Sequence, residues 1–434
     1  MKKNILFALY LLFNLTSCNT TDPKLEPDLK LELKDVSCTE VWLQLTSTNI
    51  QIPNNISLLV NGAVKNTITL NTQDSLLYFD SLLPNQSYKF KIVANTNDHP
   101  QPTTNEVLAQ TMDTTSHNFT WQTFTFGEHS SSSLYDVAII NENDIWAVGE
   151  IYMNDSLGNP DPKRFNAVKW NGSNWTVVRI PYNYQGEDFF NPIQSVFAFG
   201  ANDIWFCGNG VIHWDGNNFN PMPIPTNVWG PYQMNKIWGS GGNDLYIVGN
   251  NGSIAHYGGS AVGWKKIESG TTLDIYDIWG NYNSKTQASE ILCVASTLDI
   301  NNGKEVMQIS GTGVNKINNV GLPWSLNTLW FIPERKYFIG GDGLYITKSL
   351  GNNWIRDNSM PPYYKTNIRG SNYNDIWICG AFGLIMHNNG MSWHNFQNIT
   401  FMGGAYGSIK NKNDVVVCSG LVNNGKALIT IGRR

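Results

Sequence analysis

A chain of 434 residues with 41% hydrophobic content can bury more than one core. Its 16 tryptophans and only 15% charged residues suit an aromatic-packed β protein and exclude a disordered one. The net charge is −5 with no basic stripe, which argues against nucleic acid as a partner.

In chain order, Lys2 and Lys3 precede an apolar run from Ile5 to Phe13, the layout of a secretory signal and too short to span a bilayer. It ends in Leu15-Thr16-Ser17-Cys18, which resembles a bacterial lipobox. The resemblance implies cleavage after residue 17, lipidation of Cys18, and a lipid-anchored cell-envelope protein at the outer membrane. Residues 18–28 form a polar, Pro-containing acidic tether.

Residues 29–112 read as about seven short alternating strands, the pattern of a β-sandwich. The stretch Leu83-Pro84-Asn85-Gln86-Ser87-Tyr88-Lys89-Phe90-Lys91-Ile92-Val93-Ala94 resembles the E–F corner and F strand of fibronectin type III domains. The resemblance makes Tyr88 the tyrosine-corner residue and Trp42 the core tryptophan of strand B. Residues 113–118 are a short polar linker.

From residue 119 onward one heptad recurs. It stands as Asn143-Asp144-Ile145-Trp146-Ala147-Val148-Gly149, and again from Asn202, Asn243 and Asn374. A worn copy runs from Asn413 to Ser419, and Glu290 to Ala295 and Lys336 to Gly341 fill the gap. Seven copies about 40 to 46 residues apart match the period of propeller blades. Asn-Asp favours a turn, and the apolar run that follows reads as a strand buried on both faces. The seventh unit ends at Arg434 without room for a fourth strand, while a strand pattern at 120–126 has no unit of its own. A closed ring without an exposed edge therefore draws 120–126 into the last blade. The expected fold is all-β: a seven-bladed β-propeller over 119–434, preceded by the small fibronectin type III-like sandwich.

The repeats resemble those of bacterial Asp-box (BNR) and photosystem-assembly-factor-like proteins, whose relatives often carry a "glucosyl transferase" label. No nucleotide-sugar signature supports that label here. The Asp-box is echoed only in its Gly-x-x-aromatic half, as in Trp170-Asn171-Gly172-Ser173-Asn174-Trp175, where Asn-Gly suits a hairpin turn. The sialidase motif Phe/Tyr-Arg-Ile-Pro is broken, because Phe331-Ile332-Pro333 lacks the arginine.

Five cysteines follow Cys18, four of them in the second strands of different blades, where they read as small buried hydrophobes. Three of these fall in the row of Val148 and Val248. His213, His256 and His387 take related third-strand positions and read as packing residues rather than metal ligands. The loop from Asn154 to Asp161 is rich in oxygen ligands but fits no calcium-loop spacing. No metal site or cofactor is expected.

The longest connections fall mostly on the face shared by the fourth-to-first and second-to-third strand links. They carry Tyr152, Tyr182, Tyr184, Phe189, Phe190, Trp229, Tyr232, Tyr363 and Tyr364. Exposed aromatics on rigidly held loops suit a sugar ring or a protein partner. The expectation is a monomeric, non-catalytic protein that binds a protein or glycan there. The competing reading is a carbohydrate-active enzyme with its site at the channel mouth, for which Asp136, Asp277, Glu187, Asp188 and Asp299 are the available carboxylates.

Overall fold

The structure, a computed structural model, describes residues 27–96, 100–297, 303–397, 399 and 403–434. The signal, Cys18 and most of the tether lie outside the described residues, as does Asp299. Two compact units divide the chain, Met1–Thr111 and Met112–Arg434. All regular structure among the described residues is β-strand.

The first unit has two antiparallel sheets. One orders Asp28–Val36, Val41–Thr48 and Asp74–Phe79; the other orders Ala63–Leu70, Asn54–Val60, Ser87–Ala94 and Val107–Gln110. Alternation sends Leu43 and Leu45 from the first sheet, and Ile56, Leu58, Phe90 and Ile92 from the second, into one core. The Tyr88 hydroxyl accepts the Leu83 amide at 2.9 Å, tying its strand back to the preceding corner. Trp42 departs from expectation. Period-two alternation with Val41 and Leu43 puts it on the opposite face of its sheet, buried against Tyr78 at 5.6 Å.

The second unit contains seven four-stranded antiparallel sheets, numbered here in chain order. Their first strands are Ser133–Asn141, Ile193–Gly200, Met234–Gly241, Asp274–Asn283, Leu326–Ile332, Lys365–Asn372 and Gly404–Lys412. Each packs against the next, and the last packs against the first. Six sheets are simple meanders. In the seventh, Gly404–Lys412, Val415–Val422 and Lys426–Arg433 are joined by Thr120–Phe126, which pairs with Lys426–Arg433 in register from Thr120↔Arg433 to Phe126↔Ala427.

The recurring heptad forms the second strands, and these are buried almost throughout because both faces pack on neighbouring sheets. Its final glycine answers a close approach. A Cβ on Gly249 would lie 2.1 Å from the Gln233 carbonyl oxygen, and one on Gly380 would lie 2.1 Å from that of Tyr364.

The seventh copy is out of step. Cys207 and Cys379 pair with Ser195 and Asn367, the row in which Val148 and Val248 face Asp136 and Lys236. Cys418 instead faces Ile409, and Ser419 takes the row. The hairpin is one residue shorter than its sisters: Lys412 pairs directly with Val415, so Asp414 lies in the turn where Asp203 stands in the strand. Two cysteines, not three, therefore share the valine row. All four are buried and free, and Cys38 is buried as well.

Candidate functional site

The heptad's Asp organises its own sheet. Asp203 Oδ1 accepts the Trp205 indole N–H at 2.7 Å and sits 2.9 Å from His213 Nε2, while the His213 ring stacks on Trp205 at 4.3 Å. Sheet 6 repeats this with Asp375, Trp377 and His387, the contacts being 2.9 Å, 3.1 Å and 4.2 Å. In sheet 3, His256 bonds Asp244 and stacks on Tyr246. In sheet 1, Lys169 replaces the histidine, lying over the Trp146 ring at 4.9 Å. Each histidine is thus partnered within its own sheet. Among the described residues no cluster of three or more His, Cys, Asp or Glu could hold a metal. The loop after Asn154 is likewise self-satisfied, since Asp155 Oδ1 accepts the Leu157 and Asn159 amides at 2.9 Å.

A second repeat-level device surrounds the axis. Asp136, Ser195, Lys236, Asp277, Thr328, Asn367 and Ser408 occupy equivalent first-strand positions. Most reach to the next sheet and accept a backbone amide there: Asp136 from Val196 at 3.1 Å, Asp277 from Leu329 at 3.0 Å, Thr328 from Ile368 at 3.1 Å and Asn367 from Ile409 at 3.2 Å. Lys236 cannot accept, and the Ile278 amide turns instead to Asp277 of its own sheet.

The two axial carboxylates are buried and committed. Asp136 takes Lys236 at 2.9 Å and the hydroxyls of Ser195 and Ser408 at 2.6 and 2.7 Å. Asp277 receives both terminal nitrogens of Arg369, at 2.7 and 2.9 Å. Burial acts to raise both carboxyls, but the facing cations and hydrogen bonds outweigh it and hold them below the ordinary range. A general acid needs the opposite shift. Glu187 and Asp188 are exposed at the end of a hairpin. Glu290, which sequence reasoning passed over, is the carboxyl that burial raises. It accepts Asn283 Nδ2 at 3.0 Å beside a groove on the opposite face.

The aromatic connections fare unequally. Tyr182–Tyr184 and Glu187–Phe189 pair as a two-stranded hairpin between sheets 1 and 2, turning through Gln185 and Gly186 at positive φ. Tyr184 is 57% exposed and Phe189 42%. Tyr182 is half-buried against Gly210, and Phe190 lies beneath Lys163 and Arg179. Tyr152 donates to Glu150 at 2.8 Å, with Arg164 over its ring. Tyr363 packs on Phe382, and the Tyr364 hydroxyl meets Ser325 at 2.7 Å.

Trp229 overturns its expected exposure. The Val228 and Trp229 amides both bond back to the Pro225 carbonyl, a turn that folds the indole onto Trp205, Met234 and Ile237. At 7% exposure it is a core plug, and its N–H donates to the Tyr232 carbonyl at 2.8 Å. Tyr232 itself stays 42% exposed.

Trp229 therefore braces Tyr232 at the rim of a groove of about 830 Å³. Residues 226–232, 251–253, 266–273 and 303–305 supply its walls, all on the face of the fourth-to-first and second-to-third links. The lining is largely backbone, hydroxyl and amide, from Thr226, Asn227, Ser253 and Thr271, with Lys266, Glu268, Lys304 and Glu305 also in its walls. No burial or aromatic signal in the sequence marks this groove beyond Tyr232, because glycines and short polar residues form it.

No protein-family model matches the chain, and no curated protein matches it. Among solved structures it is similar to "YCF48 bound to D1 peptide", at 15% identity and a TM-score of 0.53 over 74% of this chain and 99% of that one. It is similar to YCF48 from Cyanidioschyzon merolae, at 14% identity and 0.53 over 71% and 98%. It is also similar to the WD40 β-propeller domain of Doa1, at 12% identity and 0.50 over 73% and 98%. At such identities the likeness is one of architecture, and the conclusion is that the chain carries a β-propeller fold.

Proposed function

We propose that this protein is a non-catalytic binding protein of the cell envelope, which takes a protein partner in extended form on the groove-bearing face of its propeller. The observation that carries the reading is the polar groove at 226–232, 251–253, 266–273 and 303–305, with exposed Tyr232 on its rim. Hydroxyls, amides and backbone groups along such a groove match the needs of a peptide main chain, and an exposed tyrosine supplies an anchor. One structural neighbour is YCF48 bound to D1 peptide. The axial carboxylates, locked to cations, do not favour the carbohydrate-active alternative.

In this reading the propeller is seven-bladed over 119–434, with Thr120–Phe126 completing the last blade. A fibronectin type III-like domain over 29–112 and a linker over 113–118 precede it. Signal 1–17 is cleaved, and lipidated Cys18 holds the protein at the outer membrane through the 18–28 tether. The Cys18→Ala variant then leaves the membrane fraction, and its full retention there would refute the anchor.

For the groove, a peptide is selected by display against the full chain and then titrated. Tyr232→Ala weakens it by roughly 2 kcal/mol, about thirtyfold. As an exposed substitution it shifts stability by under about 0.5 kcal/mol. Trp229→Ala costs roughly 3–5 kcal/mol of stability, as a buried aromatic truncation does. Selected peptides that bind the Tyr232→Ala variant as tightly as the parent would remove the groove from the account, and selection of glycans but no peptide would replace the partner class.

A further inference from the structure

The sheet axis contains more cationic donors than acceptors. Two residues beyond the axial carboxylate row, each first strand presents another position: Ala138, Phe197, Trp238, Trp279, Trp330, Arg369 and Lys410. Trp279 of sheet 4 meets Phe197 of sheet 2 at 6.5 Å between ring centroids, a contact between non-adjacent sheets that crosses the axis. Arg369 lies over the Trp279 ring at 4.6 Å, and the Lys410 ammonium at 4.8 Å. Lys410 is also 6.0 Å from the Phe197 ring. The four residues form one cluster on the axis.

Lys236 is taken by Asp136 at 2.9 Å, and the terminal nitrogens of Arg369 by Asp277 at 2.7 and 2.9 Å. Lys410 has no carboxylate or carbonyl acceptor among the described residues; its close contacts are the two aromatic rings. Arg369 Nε, in a side chain only 2% exposed, has no acceptor among the described residues, and neither does the Trp279 indole N–H. Buried donors are nearly always satisfied, and each exception calls for a physical explanation. Three cations face two carboxylates here, and three unpaired donors surround one ring.

We propose that this cluster is a carboxylate-binding site, with Lys410 supplying the countercharge and Arg369 Nε and Trp279 Nε1 the hydrogen bonds. A carboxylate offers the acceptor lone pairs that all three lack, and bonds to it are charge-assisted. Lys410, Trp279 and Phe197 each retain some exposure, so the cluster reaches solvent. The strand direction places this opening toward the first-to-second strand hairpins, at Ser240 and Ser371, away from the groove. The site does not depend on the groove's having a partner.

The test is the melting temperature of the full chain in detergent, with sodium acetate replacing sodium chloride at constant ionic strength. The parent gains a saturable rise in melting temperature, as any ligand of the native state produces. Lys410→Met loses the response, and in chloride it melts at or above the parent, because a half-buried ammonium without a carboxylate partner has been exchanged for an apolar chain of similar length. Trp279→Phe keeps the ring, removes one donor and weakens the acetate response several-fold, which covers a Lys410→Met variant that fails to fold. A short peptide with a free C-terminus is compared with its amidated twin. Tenfold tighter binding of the free acid identifies a chain terminus as the source, whereas equal peptide affinities with an acetate response identify a free small carboxylate. A parent that responds equally to acetate and chloride, or a Lys410→Met variant that responds as the parent does, overturns the site.

Discussion

Deleting residues 119–127 abolishes or sharply lowers the melting transition of the second unit, while removing nine residues from the tether at 19–27 leaves it unchanged. The deleted strand pairs along its length with Lys426–Arg433. Its two faces also serve different neighbours. Phe124 and Phe126 pack with Trp170 and Trp175 of sheet 1, and Trp121 packs with Trp377 and Phe396 of sheet 6. Losing it exposes a sheet edge and opens both interfaces at once. Thr115 and His117 tie the chain just before it to sheet 6, through the Asn374 carbonyl and through His387 at 2.9 Å. Burial beside His387 and His394 lowers the His117 pKa to about 4, so His117 is uncharged near neutral pH. The double variant Trp121→Ala/Phe124→Ala keeps chain length and falls between the two deletions. Equal melting temperatures for the two deletions would mean that strand closure contributes little.

Arg369→Met costs about 3–5 kcal/mol, because it strands Asp277 as a buried carboxylate without its counter-ion. The pair is almost fully buried, with side chains 2% and 1% exposed. Arg369 also donates to the Leu329 and Ile368 carbonyls at 3.1 and 2.7 Å, stitching sheets 5 and 6 together at the axis. Adding Asp277→Asn removes the uncompensated charge and recovers a large part of the loss, so a double-mutant cycle in urea shows a coupling well above 1 kcal/mol. Additive effects of the two substitutions would make the pair an incidental contact.

The repeat was legible because burial on both faces imposes a continuous apolar run, and because a backbone carbonyl 2.1 Å from any added Cβ requires glycine at positions such as Gly249 and Gly380. The roles of Asp203, His213 and Trp205 were only half legible. Their spacing marked a repeat, but the bonding of Asp203 to both partners needs the strand register. The axial network was hidden for the same reason: Asp136 and Lys236 are 100 residues apart and meet only because the sheets close around an axis. Trp229 misled because a tryptophan in a long connection looks exposed, and the Pro225 turn that buries it carries no periodic signal. The seventh copy misled by one residue, since a hairpin shortened by one leaves the heptad pattern recognisable while moving Cys418 to another row. The groove beside Tyr232 is built largely from glycine, serine, threonine and asparagine, which in a sequence signal only loops.

The groove's role is tested most directly by amide hydrogen exchange of the full chain with and without a display-selected peptide. The account predicts slowed exchange at 226–232, 251–253, 266–273 and 303–305, with the hairpins of the opposite face, including 283–288, unchanged. Protection confined to those opposite hairpins, or to the 182–189 hairpin, would contradict it.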